Sequence, residues 1–299
     1  MSWTGATTPT GWEQMARLER ECAEATAARE PVVAIAKVEA LQEALREREW
    51  EAILDLARRH CELGHRDDCD RWLSTLRDAG FWDLTRLRED EGFSRIRGEH
   101  KFQVLSRAIW ANGYIAMLER PERERFQRVD LIFAALGLRT GEKVADVGAG
   151  SGYFTIPVAR EVGPSGIVWA VDVVPEMLDY LSRRLRMEKL ENVRMILAKR
   201  DDPMLPAGTI ETIVMIDALH YVTDRVAFAA KLRHALVPRG RLVLIDYRPK
   251  PWEERPWGPP PEQQIPREKL DEEMVEAGFK VAEQFDFLPE QYFVIYRPR

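Results

Sequence analysis

From Trp12 to about Arg120 apolar residues recur at helical spacing, and strand-like alternation is absent. Ile35, Val38, Leu41 and Leu45 make one stripe, Trp50, Ile53, Leu54, Ala57 and Cys61 a second, and Cys69, Trp72, Leu73, Leu76 and Ala79 a third. Gly64 and Gly80 stand just past the second and third stripes, where a left-handed residue ends a helix, and Pro31 suits a first helical turn. The pattern predicts a run of antiparallel helical hairpins, here delimited as residues 1–120.

A stretch of alternating charge, Glu119-Arg120-Pro121-Glu122-Arg123-Glu124-Arg125, reads as a solvated helix start or linker. From Glu142 the grammar changes. Val- and Ile-rich runs at Lys143–Val147, Gly166–Val171, Val193–Leu197, Thr212–Ile216 and Arg241–Asp246 read as buried strands. Helical segments near Tyr153–Val162, Pro175–Met187, Asp224–Leu236 and Arg267–Ala277 alternate with them. This repetition predicts an α/β domain over residues 121–299 with a parallel, doubly wound sheet. Two last strands, Lys280–Phe287 and Gln291–Tyr296, predict an antiparallel hairpin at one sheet edge.

Composition narrows the function classes. With 45% hydrophobic and 31% charged residues the chain is globular rather than disordered, and its 299 residues admit two ordinary domains. A net charge of -6 gives no general attraction to phosphate backbones, so no nucleic-acid partner is expected. Cys22, Cys61 and Cys69 form no CxxC pair and no metal-ligand spacing with a histidine, which argues against a disulfide scaffold and a metal centre. Neither a leader-like N-terminus nor a run of about 20 apolar residues is visible, so a cytoplasmic protein without membrane contact is expected.

The segment Val144-Ala145-Asp146-Val147-Gly148-Ala149-Gly150-Ser151-Gly152-Tyr153-Phe154 follows a strand and opens a helix. Its glycines let the backbone turn sharply and approach a ligand. The next strand ends in Asp172, where a carboxylate can accept ribose hydroxyls. A dinucleotide site would space its glycines G-x-G-x-x-G, whereas here the spacing is G-x-G-x-G with Asp146 two residues ahead. A fixed carboxylate there repels a pyrophosphate and suits a ligand that carries an ammonium group.

Asp146 through Gly152 resembles motif I of class I S-adenosylmethionine-dependent methyltransferases, and Val171-Asp172-Val173-Val174-Pro175-Glu176-Met177-Leu178 resembles motif II of their ubiquinone/menaquinone-biosynthesis-like branch. The resemblance covers roughly Phe126 to the C-terminus and implies a Rossmann-like, seven-stranded sheet and S-adenosyl-L-methionine as cofactor. It implies that Gly148, Ala149, Gly150 and Gly152 meet the methionyl part, Asp172 the ribose and Val173 a face of the adenine. Asp201 or Asp202, in Asp201-Asp202-Pro203-Met204-Leu205-Pro206, would reach the adenine amino group, and Asp146 and Asp217 belong to the same cofactor set. The segment Trp50–Trp82 resembles a degenerate tetratricopeptide repeat.

Methyl transfer from a sulfonium is an in-line displacement, helped most by holding the acceptor in a dry pocket. Where the acceptor loses a proton, His220, just past the fourth strand, is the candidate base, with Tyr221 beside it and Tyr247 as a further neighbour. The stretch Tyr247–Pro266 holds seven of the 18 prolines together with Trp252 and Trp257, and reads as a substrate lid or as a stiff connector. The favoured reading is a methyltransferase for a small-molecule acceptor. The alternatives are a protein or RNA methyltransferase docking substrate through the helical half, and a non-catalytic cofactor-binding regulator. The helical half is open to a protein partner or to self-association.

Overall fold

The computed structural model describes residues 11–28, 30–121, 123–255 and 258–299. The chain divides into two compact units, Met1–Tyr114 and Ile115–Arg299.

In the first unit, α1 (Gly11–Ala27) pairs with α2 (Pro31–Glu62), which turns back into α3 (Arg66–Asp78), followed by α4 (Leu84–Glu89) and α5 (His100–Leu118). The first two stripes lie on one helix of 32 residues, because no Gly or Pro falls between Pro31 and Gly64 to break it. Ile35, Val38 and Leu45 on its first half are exposed, whereas Ile53, Leu54, Ala57 and Cys61 are buried. These pack with Cys69, Leu73, Leu76, Phe81, Phe93, Phe102 and Ile109 into the unit's core. The Trp50 indole N–H donates to the Ala79 carbonyl at 2.8 Å and its ring meets Phe81 edge-on. Gly64 and Gly80 adopt the left-handed φ that their positions after the stripes predict, 75° and 77°.

The cysteines depart from the expectation that none pair. Cys61 and Cys69 form a disulfide, their Cα atoms 5.0 Å apart, while Cys22 is free. The reversal of the chain between α2 and α3 brings positions eight apart together, which no CxxC-type spacing rule detects. The pairing also removes the redox ground for expecting a reducing compartment. Among the described residues no helix is long and apolar enough to cross a membrane.

The second unit is built on a seven-stranded sheet of order β3-β2-β1-β4-β5-β7-β6. The strands are β1 (Lys143–Val147), β2 (Ile167–Asp172), β3 (Val193–Leu197), β4 (Ile210–Ile216), β5 (Leu236–Tyr247), β6 (Phe279–Phe285) and β7 (Gln291–Pro298). β1 to β5 are mutually parallel, and β7 inserts antiparallel between β5 and β6. Helices join β1 to β2, β2 to β3 and β4 to β5, while β3 runs to β4 without one.

Alternation along each strand sends side chains to two cores. Val144, Val168, Val214, Val243 and Ile295 pack under α7 (Val129–Leu136) and α8 (Thr155–Val162). Ala145, Trp169, Ile213, Leu244 and Val294 face α10 (Arg225–Ala235) and α11 (Arg267–Glu276). α9 (Pro175–Met187) covers β2 and β3, with Leu181 and Leu185 buried beside Ala149, Ile156 and Ala170. The short α6 (Arg123–Gln127) precedes α7. All the C-terminal ends of the parallel strands therefore share one edge, the place where open α/β sheets bind ligands.

Candidate functional site

The glycine segment links β1 to α8 at that edge. Gly148 and Gly152 hold φ of 82° and 87°, and a Cβ added there would lie 2.4 Å from Ala218 Cβ and 2.3 Å from Leu181 Cδ1. Both positions thus require glycine for conformation and for space. Gly148 and Ala149 donate backbone N–H groups to the Val171 carbonyl at 2.8 and 3.0 Å, which fastens the loop across the end of β2.

Asp172 completes this fastening. Its Oδ2 accepts from Gly150 N–H at 2.7 Å and its Oδ1 from Val174 N–H at 2.9 Å. Burial pushes its carboxyl above the ordinary value, opposed by these backbone donors. Val173 next to it is half exposed. Asp146 is buried and accepts the Thr155 hydroxyl at 2.5 Å, and burial raises its pKa to about 6.

The charged stretch before α7 is not solvated throughout. Glu119 accepts both the Ser151 hydroxyl and Arg184, at 2.5 and 2.6 Å, and so braces the glycine loop against α9. Arg123 is buried, with its guanidinium 4.3 Å from the Tyr153 ring centroid and 5.5 Å from that of Phe154. It donates to Gln127 at 2.7 Å and to the Leu118 carbonyl at 3.0 Å. The expected helix start is present, since α6 begins at Arg123, but its solvation is not, because alternating charge looks solvated whether or not an aromatic face waits to cover one of its cations.

Asp217 follows β4 in a left-handed conformation, φ 54°. Its carboxylate receives Gln127 at 3.1 Å and Gln291, with Tyr247 hydroxyl and Arg123 at 3.4 and 3.5 Å. Burial drives its pKa up and Arg123 opposes it. Arg123, Gln127 and Gln291 escaped the sequence reading, since they come together only when α6 and β7 meet the end of β4.

Asp202 Oδ1 accepts from Met204 N–H at 2.8 Å, and its Oδ2 is 3.5 Å from Lys231 Nζ; Asp201 is exposed. His220 sits on the single turn Leu219–Tyr221. Its Nδ1 lies 2.8 Å from Asp246 Oδ1, and Asp246 also accepts the backbone N–H groups of His220 and Tyr247. With both side chains 3% exposed, the carboxylate fixes the ring and directs the Nδ1 proton to itself, leaving Nε2 as the basic nitrogen. Tyr221 is exposed with its ring centroid 4.2 Å from that of His220, and the Tyr247 ring lies 6.2 Å away. Burial and the Asp217 charge push the Tyr247 hydroxyl upward, so it stays a donor. Asp246 was not singled out in the sequence, where it reads as the last residue of a buried strand.

After β5 the Pro-rich segment is held by Gln264, which accepts from Lys250 N–H at 2.7 Å and donates to the Pro259 carbonyl at 2.9 Å. Trp252 is 46% exposed, and Trp257 lies outside the described residues.

Residues 144–240 match the family model described as a methyltransferase domain. The chain is 32% identical over 112 residues to the ubiquinone/menaquinone biosynthesis C-methyltransferase UbiE of Pasteurella multocida, a match covering 37% of this chain and 42% of that one. It is 27% identical over 105 residues to aklanonic acid methyltransferase DauC of Streptomyces sp., covering 35% and 48%. The chain therefore spans less than half the length of these relatives. Among solved structures, a SAM dependent methyltransferase from Aquifex aeolicus shares 27% identity with a TM-score of 0.57, covering 61% of this chain and 96% of that one. The second unit has the Rossmann-like methyltransferase fold, and the cofactor that fold serves is S-adenosylmethionine. The repeat likeness of the helical unit finds no counterpart in these matches.

Proposed function

We propose that the chain is an S-adenosylmethionine-dependent methyltransferase acting on a small-molecule acceptor, with His220 as general base. The observation that carries this reading is the joint geometry at the sheet edge. A glycine loop, in which a Cβ at Gly148 or Gly152 would strike Ala218 or Leu181, is tied to Asp172 at the end of β2, and a buried His220–Asp246 pair stands at the ends of β4 and β5.

The cradle fits the cofactor. Gly148, Ala149, Gly150 and Gly152 would bound its methionyl part, Asp172 its ribose, Val173 its adenine face, and Asp201 or Asp202 the adenine amino group. Asp146 would balance its ammonium group. When bound, the cofactor supplies a methyl group activated by a sulfonium. On the acceptor side, His220 Nε2 takes the proton that the acceptor O–H or N–H gives up as the new bond forms, and Asp246 stabilises the resulting imidazolium. Tyr221 and Trp252 supply aromatic surface that orients a flat acceptor and keeps water away.

The small-molecule reading draws support from relatives named for quinone and aklanonic acid methylation. The exposed apolar positions of α2, Val32, Ile35, Val38 and Leu45, support reading the helical unit as a surface for a protein partner or a second copy. Calorimetry with S-adenosylhomocysteine on the wild type and Asp172→Ala tests the shared premise: binding to the first and its loss in the second is expected. Tritiated-methyl transfer to phenols, amines and quinones then tests the acceptor class. Label entering only protein or RNA of a cell extract would overturn the small-molecule assignment.

A further inference from the structure

The turn between α2 and α3 brings together two imidazoles and a carboxylate that nothing in the methyl-transfer reading uses. One ligand atom each from His60, His65 and Asp68 lie within 4.8 Å of one another. The Nδ1 of His60 is buried with no hydrogen-bond partner, and it faces Asp68 Oδ2 at 3.7 Å. That distance is too long for a hydrogen bond and suits two atoms each about 2.0–2.2 Å from a shared ion.

The surroundings are arranged for such an ion. Arg71 holds Asp68 Oδ1 at 2.8 Å, which leaves Oδ2 turned toward His60. His65 occupies the N-cap of α3, yet its side chain makes no capping bond. Its backbone N–H donates to the His60 carbonyl at 2.9 Å, and the two rings are 5.7 Å apart between centroids. The disulfide joins Cys61 to Cys69, the residues immediately after His60 and Asp68, so two of the three ligand positions are fixed relative to each other. An unpartnered buried nitrogen is costly unless something completes it.

We propose that this turn binds one borderline divalent transition-metal ion, of the Zn2+ class, through His60 Nδ1, His65 and Asp68, with water completing the shell. Two imidazoles with one carboxylate suit Zn2+ and its Co2+ and Ni2+ congeners, whereas Ca2+ and Mg2+ require oxygen ligands throughout. The ion would lock the α2–α3 reversal alongside the disulfide. The site lies wholly within the helical unit, so it stands or falls independently of the cofactor reading.

The test is calorimetric titration of the full chain with Zn2+, without thiol reductant so that the disulfide stays closed. Circular dichroism confirms that each variant is folded; His65 is exposed, so His65→Gln leaves the core intact. One Zn2+ per chain is expected, weakened on the order of tenfold or more by His65→Gln and by Asp68→Asn. Co2+ in place of Zn2+ should give visible d–d absorption that His65→Gln abolishes. Excess Mg2+ should not compete. Absence of Zn2+ uptake by the wild type, or uptake unchanged in both variants, would overturn the proposal.

Discussion

Asp246 Oδ1 stands 2.8 Å from His220 Nδ1, at the ends of adjacent parallel strands, and both side chains are sealed from water. The same carboxylate accepts the backbone N–H groups of His220 and Tyr247, so two donors hold it while it holds the ring. Such a carboxylate sets the imidazole tautomer without needing to move.

His220→Ala should therefore lower kcat roughly 100- to 1,000-fold with an acceptor that must lose a proton, and leave S-adenosylhomocysteine affinity within about twofold. Asp246→Asn should lower kcat roughly 10- to 100-fold, since the imidazolium loses its counter-charge. Steady-state kinetics beside calorimetry separates the two effects. Equal losses of turnover and cofactor affinity would assign the pair to architecture instead.

Asp172 binds the protein to itself through Gly150 and Val174 before it binds anything else. Asp172→Ala would leave those two N–H groups without their acceptor, at about 1–3 kcal/mol each where water cannot reach them. The expected outcome is a lower urea midpoint as well as lost cofactor binding. Asp172→Asn, which still accepts one of the bonds, should recover most of the stability and little of the affinity.

The raised pKa of Asp146, about 6 against an ordinary 3.8, gives a signed pH dependence. The folded state holds this proton more tightly than the unfolded one, so its contribution is fully present below about pH 4 and is lost as pH rises through 6. Asp146→Asn should then stabilise the cofactor-free protein above pH 6, on the order of 3 kcal/mol, and make no difference near pH 4. Cofactor affinity should run the other way. The wild type should lose affinity as pH falls through 6, when the carboxyl no longer matches an ammonium group, and the variant should show a flat, weak profile.

Trp252 is half exposed on a segment braced by Gln264, with Lys250 and Pro259 as its anchors. If this segment walls the acceptor, Trp252→Ala raises the acceptor's KM several-fold and leaves cofactor affinity intact. Gln264→Ala, which frees both anchors, should do the same from a distance.

The strands and the glycine loop were legible because their signals are local: Val- and Ile-rich runs of five or six residues, three glycines at fixed spacing, and a carboxylate at a strand end. β5 and β4 begin earlier than their apolar runs, at Leu236 and Ile210, which pair with each other ahead of a register shift that side-chain pattern does not announce. What sequence could not show depended on distant partners. Arg123 is buried because Tyr153 and Phe154 cover it, and Asp246 acts on a histidine that lies 26 positions earlier. The helical half misled in another way: Ile35, Val38 and Leu45 have core spacing but remain exposed, so periodicity identified the helix and not the face that is buried.

The Cys61–Cys69 bond closes a loop of eight positions between two buried sulfurs, a constraint worth about 2.5 kcal/mol to the unfolded-state entropy balance. Alkylation of the native protein should label Cys22 alone, and all three cysteines after reduction and unfolding, as read by intact mass. Reduction should speed hydrogen exchange of the slowest amides of α2 and α3, on the order of 50-fold for that free energy. The sheet amides of the second unit serve as the internal control and should not change. If native alkylation instead labels all three thiols, the α2–α3 turn is held by packing of Leu54, Leu73 and Phe93 alone, and reductant should then leave its exchange rates where they were.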